Sequence, residues 1–173
     1  RYASRGLGDV YKRQMLIRSI NESDNKSISK ILKEVLVEME IPKKGSAYED
    51  PELDKMFEAY QNPRSIYYII EHENQILGGA GISELKESNS DICELQKMYF
   101  HKSIRGKGLG DKMIDKCLTF AIKSNFTKCY IETMPNMISA QKLYLKKGFE
   151  YIDKPIGNTG HTACPVWMLK DLK

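Results

Sequence analysis

The sequence lacks the features that mark membrane-spanning and disulfide-linked proteins. Its 173 residues contain no apolar run near the roughly 18 residues that a membrane-spanning helix needs, and no signal-peptide pattern. It has only four cysteines, which form no C-x-x-C pair and have no histidine at metal-ligand spacing. We therefore expect a cytoplasmic protein with reduced cysteines, no bound metal and no membrane partner.

The sequence also carries little net charge once its first 14 residues are set aside. Residues 9–14 resemble the translation of a transposon-based sequencing adaptor, and Met15 follows as the expected native start. Residues 1–14 hold three of the four net positive charges, which leaves +1 for residues 15–173. We therefore expect residues 1–14 to be a non-native leader or tag, residues 15–173 to be a single domain, and nucleic acid not to be a partner.

Strand patterns and helix patterns are mixed along residues 15–173. Short apolar and β-branched runs predict strands at 15–19, 66–70, 76–85, 92–100, 128–134, 149–152 and 166–169. Apolar residues at helical spacing predict helices at 23–39, 107–124 and 138–147. Asp50 followed by Pro51 predicts the capped start of one more helix, with a buried face that reaches Tyr60. The mixture predicts an α/β sheet of mixed strand direction with helices on both faces.

Residues 105–110 have the sequence Arg-Gly-Lys-Gly-Leu-Gly and lie between a predicted strand and a predicted helix. A dinucleotide-binding fingerprint would need glycine where the chain has Asp111, and a P-loop would need glycine where it has His101, so both motifs are excluded. A glycine turn at a helix start presents backbone N–H groups to an anion, which favours a pyrophosphate site. A turn that only starts the helix is the alternative.

Four segments, in the order in which they occur along the chain, resemble the GNAT superfamily of acyl-CoA-dependent N-acyltransferases. Residues 105–110 match its [QR]-x-x-G-x-[GA] signature, and residues 140–149 match A-x-x-L-Y-x-x-x-G-F. Residues 95–100 and 130–133 resemble its fourth and fifth strands. The resemblance implies a mixed, mostly antiparallel central sheet with helices on both faces and with the fourth and fifth strands splayed apart.

The resemblance also implies acetyl-CoA as the co-substrate. Its pyrophosphate would lie on the glycine segment, and its pantetheine arm would bind exposed backbone of the fourth strand. Asn136 lies near the asparagine that the family commonly has after its fifth strand. The implied cofactor-binding residues are Met98, Tyr99, Phe100, Arg105, Gly106, Lys107, Gly108, Leu109, Gly110 and Asn136.

The implied reaction moves an acetyl group from the CoA thioester to a primary amine by direct attack. An ammonium cannot attack, so a base must take its proton, either directly or through water. Glu132 matches the family's fifth-strand base. Glu94 on the fourth strand and a water relay are the competing candidates for this role. If Glu132 is not the base, it is an ordinary carboxylate at the edge of the sheet. Tyr144 would protonate the leaving thiolate, with a core aromatic as the alternative.

The acceptor is predicted to be a small-molecule or peptide amine. His161 lies in a glycine-bearing loop, residues 157–164, in the region that walls the acceptor site in this family. It is predicted to bind the acceptor or to shuttle a proton, and a solvated loop residue is the alternative. Family members often form dimers, so a homodimer is a further expectation. A non-catalytic acyl-CoA-binding module on the same fold is the alternative function.

Overall fold

The computed structural model describes residues 15–173, and the predicted leader at residues 1–14 lies outside this range. The described chain forms seven strands and four α-helices. The strands are β1 (Leu16–Ser19), β2 (Ile66–His72), β3 (Gln75–Glu84), β4 (Ile92–Phe100), β5 (Lys128–Thr133), β6 (Glu150–Ile152) and β7 (Val166–Asp171). The helices are α1 (Asn25–Glu38), α2 (Met56–Ala59), α3 (Leu109–Lys123) and α4 (Ile138–Lys146). Within residues 15–173, none of the helices combines the length and the apolarity that a membrane span requires.

All seven strands belong to one sheet, in the order β1-β2-β3-β4-β5-β7-β6. Every neighbouring pair is antiparallel except β4 and β5, which are parallel and are connected through α3. The prediction of a mixed, mostly antiparallel sheet is therefore confirmed. A parallel pair needs a crossover connection, and the amphipathic stretch after residue 108 supplies it.

Successive side chains of each strand point to opposite faces of the sheet, and each face has its own hydrophobic core. On β2, Tyr68 and Ile70 pack with the apolar stripe of α3, which includes Met113. The intervening Tyr67 and Ile69 pack on the opposite face with residues of α1 and α2. Because α3 packs on one face of the sheet and α1 and α2 pack on the other, the prediction of helices on both faces is confirmed.

A β-bulge interrupts β4 beside its partner β3. Gly79 pairs with Tyr99 and Gly81 pairs with Gln96, so two residues of β4 lie opposite one residue of β3. One of the two, Lys97, has φ +49°, a left-handed conformation that is uncommon for a residue other than glycine. The bulge bends β4 in the segment where it no longer pairs with β5.

The strands β4 and β5 pair only at their beginnings, over Ile92 to Glu94 and Lys128 to Tyr130. Beyond these residues they diverge, and an opening lies between the second half of β4 and the end of β5. The predicted splay of the fourth and fifth strands is therefore present. The opening places backbone and side chains of both strands beside the loops that follow them.

The helix predicted to start at Asp50 and Pro51 is wrong in part. Residues Pro51–Asp54 form a 3-10 turn, Lys55 has φ −138° and lies outside any helix, and α2 covers one turn only. The carboxylate of Asp50 makes no capping hydrogen bond, because it is paired with Lys97 and His161 instead. A tertiary ion pair therefore overrides the local capping signal.

Candidate active site

A cleft of about 500 Å³ lies between the end of α1, the second half of β4, the loop before α3 and the start of α4. Its lining is mainly apolar, with backbone of the glycine loop on one side. Nine of the predicted site residues line it: Met98, Tyr99, Phe100, Arg105, Gly106, Gly108, Gly110, Asn136 and Tyr144. The fold thus brings three segments that are distant in sequence to one elongated site.

The glycine loop gives the cleft an anion-binding geometry. Gly106 and Gly108 have φ of +71° and +75°, in the left-handed region that favours glycine. A Cβ atom on either residue would meet no other atom within 4 Å, so the backbone is openly accessible there. α3 begins directly after Gly108, and the first N–H groups of a helix have no partner inside the helix. This arrangement fits a pyrophosphate.

Arg105 holds this loop in place. Its Nε donates to the carbonyl of Phe100 at 2.8 Å, and its two Nη atoms donate to the carboxylate of Glu38 at 3.0 and 2.9 Å. The Arg105 hydrogen bonds and charge lower the pKa of Glu38. Lys107 is exposed and outside the cleft lining, whereas the side chain of Leu109 is buried in the core, so Leu109 offers the cleft only its backbone.

Tyr144 lies on α4, between the cleft and the core. Its side chain is 5% exposed and packs on Phe149 with ring centroids 6.0 Å apart. Burial raises the pKa of its hydroxyl, and this hydroxyl has no hydrogen-bond partner among the described residues. A neutral, uncommitted O–H that borders a cleft is the form in which tyrosine donates a proton.

Asn136 connects two walls of the cleft. Its Nδ2 donates to the carbonyl of Met39 at 2.9 Å, which ties the segment before α4 to the end of α1. The described structure therefore gives Asn136 a bracing contact at the cleft, while its predicted contact with a cofactor stays a prediction.

A second site, here called the carboxylate pocket, is formed by Glu94, Glu132 and His161. A carboxylate oxygen of each glutamate and a ring nitrogen of His161 all lie within 4.8 Å of one another. Glu94 is the last β4 residue that pairs with β5, and Glu132 follows two residues after the last paired residue of β5. Cys93 and Cys129 face the α3 core, so the adjacent Glu94 lies on the opposite face of the sheet. The carboxylate pocket and the cleft therefore border the same opening between β4 and β5.

Neutral groups hold both glutamates of this pocket. Glu132 accepts hydrogen bonds from Tyr130 Oη at 2.8 Å and from Thr159 Oγ1 at 2.6 Å. Glu94 accepts one from Gln96 Nε2 at 2.7 Å on a single oxygen. Burial raises the pKa of Glu94, because the charged form loses hydration there. Both rivals for the general base therefore lie in one pocket, with His161 beside them.

His161 is held against the pocket by Asp50. The His161 Nε2 lies 3.0 Å from Asp50 Oδ1, and its Nδ1 lies 4.0 Å from Glu132 Oε2. Burial disfavours the charged ring, but the hydrogen bond and charge of Asp50 raise the net pKa of His161 above its usual value. The imidazole is 15% exposed, so the alternative of a solvated loop residue is not what the structure shows.

Asp50 also binds Lys97, a neighbour of the pocket that the sequence analysis missed. Lys97 Nζ lies 2.7 Å from Asp50 Oδ2 and 3.3 Å from Glu52 Oε1, and the lysine side chain is only 3% exposed. Lys97 is 47 residues from Asp50 and sits in a run that reads as regular strand. The bulge turns the Lys97 side chain toward Asp50 and Glu52, and no local sequence pattern predicts this bulge.

We expect Lys97→Met to destabilise the protein by about 2–3 kcal/mol at pH 7, at or just below the lower limit for breaking a buried ion pair, because Asp50 keeps His161. Asp50 is ionised at this pH, because the hydrogen bonds and charges of His161 and Lys97 lower its pKa by more than burial raises it. Urea unfolding measures the loss. The double variant Lys97→Met/Asp50→Asn removes both charges and should recover part of it. Equal stability of wild type and single variant would contradict the ion-pair assignment.

Comparisons of the sequence with known proteins show the family to which the chain belongs. The sequence model described as the acetyltransferase (GNAT) family matches residues 33–149. The uncharacterized N-acetyltransferase YjgM of Escherichia coli K12 is 38% identical over 167 residues, which cover 96% of this chain and 100% of that protein. N-acetylaspartate synthetase of Xenopus tropicalis is 27% identical over 53% of this chain and 33% of its own length.

Solved structures give the same fold. A GNAT-family acetyltransferase from Staphylococcus aureus Mu50 superposes with a TM-score of 0.82 at 22% identity, covering 92% of this chain and 100% of that one. YncA, an acetyltransferase from Salmonella typhimurium solved with its cofactor acetyl-CoA, superposes with a TM-score of 0.74 at 17% identity, covering 92% and 94% of the two chains.

Proposed function

Because the chain belongs to the acetyltransferase (GNAT) family and is an N-acetyltransferase, we propose that it moves the acetyl group of acetyl-CoA to a primary amine by direct attack. One observation carries this proposal: the cleft and the carboxylate pocket border the same opening between β4 and β5. A thioester in that opening would have an anion-binding loop at one end of its carrier and candidate bases beside its carbonyl.

The cleft residues fit CoA as the acetyl carrier. Backbone N–H groups from residue 106 to the first turn of α3 would hold the pyrophosphate, and the positive end of the helix dipole favours that charge. The half of β4 that is not paired with β5 would bind the amides of the pantetheine arm through its backbone at Met98. The acetyl-CoA found in the YncA structure supports the same choice of co-substrate.

The carboxylate pocket supplies the proton acceptor that the reaction needs. An aliphatic amine has a pKa near 10.4, so it arrives as an ammonium and must lose a proton before its nitrogen can attack. We propose Glu132 as the base, with Glu94 or an intervening water as the alternative. The nitrogen then bonds to the thioester carbon, the C–S bond breaks, and the Tyr144 hydroxyl gives its proton to the departing sulfur. The acylated nitrogen still carries one extra proton, and its loss, directly or through water, returns Tyr144 to the neutral phenol. The products are an N-acetyl amine and the CoA thiol.

The proposal is tested by release of free CoA thiol from acetyl-CoA with a panel of amines. Wild-type protein should release thiol only when an acceptor amine is present, and the acetylated amine should be identified by mass. Glu132→Gln should lose activity near neutral pH and regain it as pH rises, because more acceptor is then already neutral. Glu94→Gln, the matched variant on the neighbouring strand, should keep the wild-type pH profile if Glu132 is the base.

Other outcomes separate the alternatives. If Glu94→Gln shows the alkaline recovery and Glu132→Gln does not, the base is Glu94. If neither profile changes, the proton leaves through water. Tight CoA binding without thiol release for any amine would contradict the amine proposal. The predictions of no metal, a cytoplasmic location and a homodimer remain predictions.

A further inference from the structure

The cations beside the carboxylate pocket are already committed to another acid. Lys97 and His161 both bind Asp50, at 2.7 and 3.0 Å, and Lys97 also binds Glu52 at 3.3 Å. The His161 ring lies 4.0 Å from Glu132, beyond hydrogen-bonding distance. Lys97 and His161 therefore neutralise the carboxylates of residues 50–52 more directly than they neutralise Glu94 and Glu132.

The glutamates of the pocket are bonded only by neutral donors among the described residues. These donors are Gln96 for Glu94, and Tyr130 and Thr159 for Glu132. Glu94 is 5% exposed, and its second oxygen has no hydrogen-bond partner in the described part of the chain. A buried carboxylate without a bonded cation is costly, which is why burial raises the pKa of Glu94. No cation among the described residues donates a hydrogen bond to either glutamate, and a ligand can bring one.

We infer that the acceptor is an aliphatic ammonium whose carbon chain carries no carboxylate, and that Glu94 and Glu132 select it. This inference rests on the proposed function. Such an ammonium donates hydrogen bonds to the two glutamates and supplies the missing charge. A free amino acid would bring its carboxylate into a pocket that holds two others, and the two cations beside that pocket, Lys97 and His161, are already paired with Asp50. A diamine and a lysine side chain within a peptide share the favoured chemistry.

Three four-carbon amines test the inference because they differ only at the far end. These are butylamine, 1,4-diaminobutane and 4-aminobutanoate, whose reacting amines have similar pKa values. With acetyl-CoA saturating, kcat/KM for 4-aminobutanoate should be at least about tenfold below that for butylamine, since the far end of its short chain brings a third carboxylate near Glu94 and Glu132. The diamine should match or exceed butylamine. An Nα-acetyl-lysine amide distinguishes a peptide lysine from a free diamine.

Variants connect the selectivity to the two glutamates. Glu94→Gln and Glu132→Gln will lower absolute rates, so the quantity to compare is the ratio of kcat/KM for butylamine to that for 4-aminobutanoate. Each variant should reduce this ratio severalfold, because one repelling charge is gone. Glu150→Gln, at an exposed position on β6, is the matched control and should leave the ratio unchanged.

Calorimetry on protein saturated with CoA measures the binding of 1,4-diaminobutane and 4-aminobutanoate in the absence of turnover. Preferred binding of the diamine with no thiol release would support the selection of an ammonium by the two glutamates but would refute the proposed reaction. Equal kcat/KM for all three amines would overturn the inference and leave the reaction standing. Absence of both binding and turnover would overturn both. Because two glutamates and a histidine also suit a metal ion, activity abolished by a chelator would likewise overturn the ammonium assignment.

Discussion

Replacing Tyr144 by phenylalanine is expected to lower kcat by about 10²–10⁴-fold, the usual loss when a positioned proton donor is removed. The ring stays, so its packing on Phe149 and the fold should survive. The hydroxyl has no partner among the described residues, so no structural hydrogen bond is lost with it. Burial also keeps it protonated, because its pKa is raised.

The measurement is steady-state thiol release with the best acceptor, analysed as kcat and KM separately. The effect should fall mainly on kcat, because charge develops on sulfur only as the C–S bond breaks. Tyr68→Phe is the matched control, since Tyr68 belongs to the same core cluster but lies on β2, outside the cleft lining. A Tyr144→Phe enzyme with near-wild-type kcat would remove the acid assignment and return Tyr144 to the role of a core aromatic.

The parts of the site that sequence could predict are those built from consecutive residues. The glycine loop is one continuous segment, and its φ values follow from glycines placed before an amphipathic helix. The strands and longer helices were predicted to within about two residues for the same reason. α3 starts two residues later than predicted because Gly108 takes a left-handed conformation and ends the loop.

The carboxylate pocket could be predicted only as separate candidates. His161 and Asp50 are 111 residues apart, and nothing local pairs them. Lys97 was missed because the alternation of residues 95–100 predicts regular strand, and only a bulge places its side chain near Asp50. Asp50 itself carried a local capping signal that two ion pairs override. Long-range charge pairing, unlike hydrophobic periodicity, leaves no repeating trace in a single sequence.

Gly108→Asp and Gly108→Asn form a nearly isosteric pair that tests the anion site at the start of α3. Gly108 has φ +75°, a conformation that asparagine and aspartate both tolerate better than other residues, and a side chain there meets open space. A negative charge at this position is also favourable for the helix itself, so the fold should survive in both variants. The two differ in charge, which only the aspartate carries.

We expect Gly108→Asn to keep CoA affinity within several-fold of wild type and Gly108→Asp to lose at least about a hundredfold. The reason is that a carboxylate placed on the N–H groups repels a pyrophosphate at contact distance, where charges interact by several kcal/mol even at moderate dielectric. Calorimetry with CoA measures both affinities, and thermal unfolding shows that each variant is folded. Equal affinity of the aspartate and asparagine variants would place the pyrophosphate elsewhere. Equal large losses in both would assign the effect to the added side chain rather than to its charge.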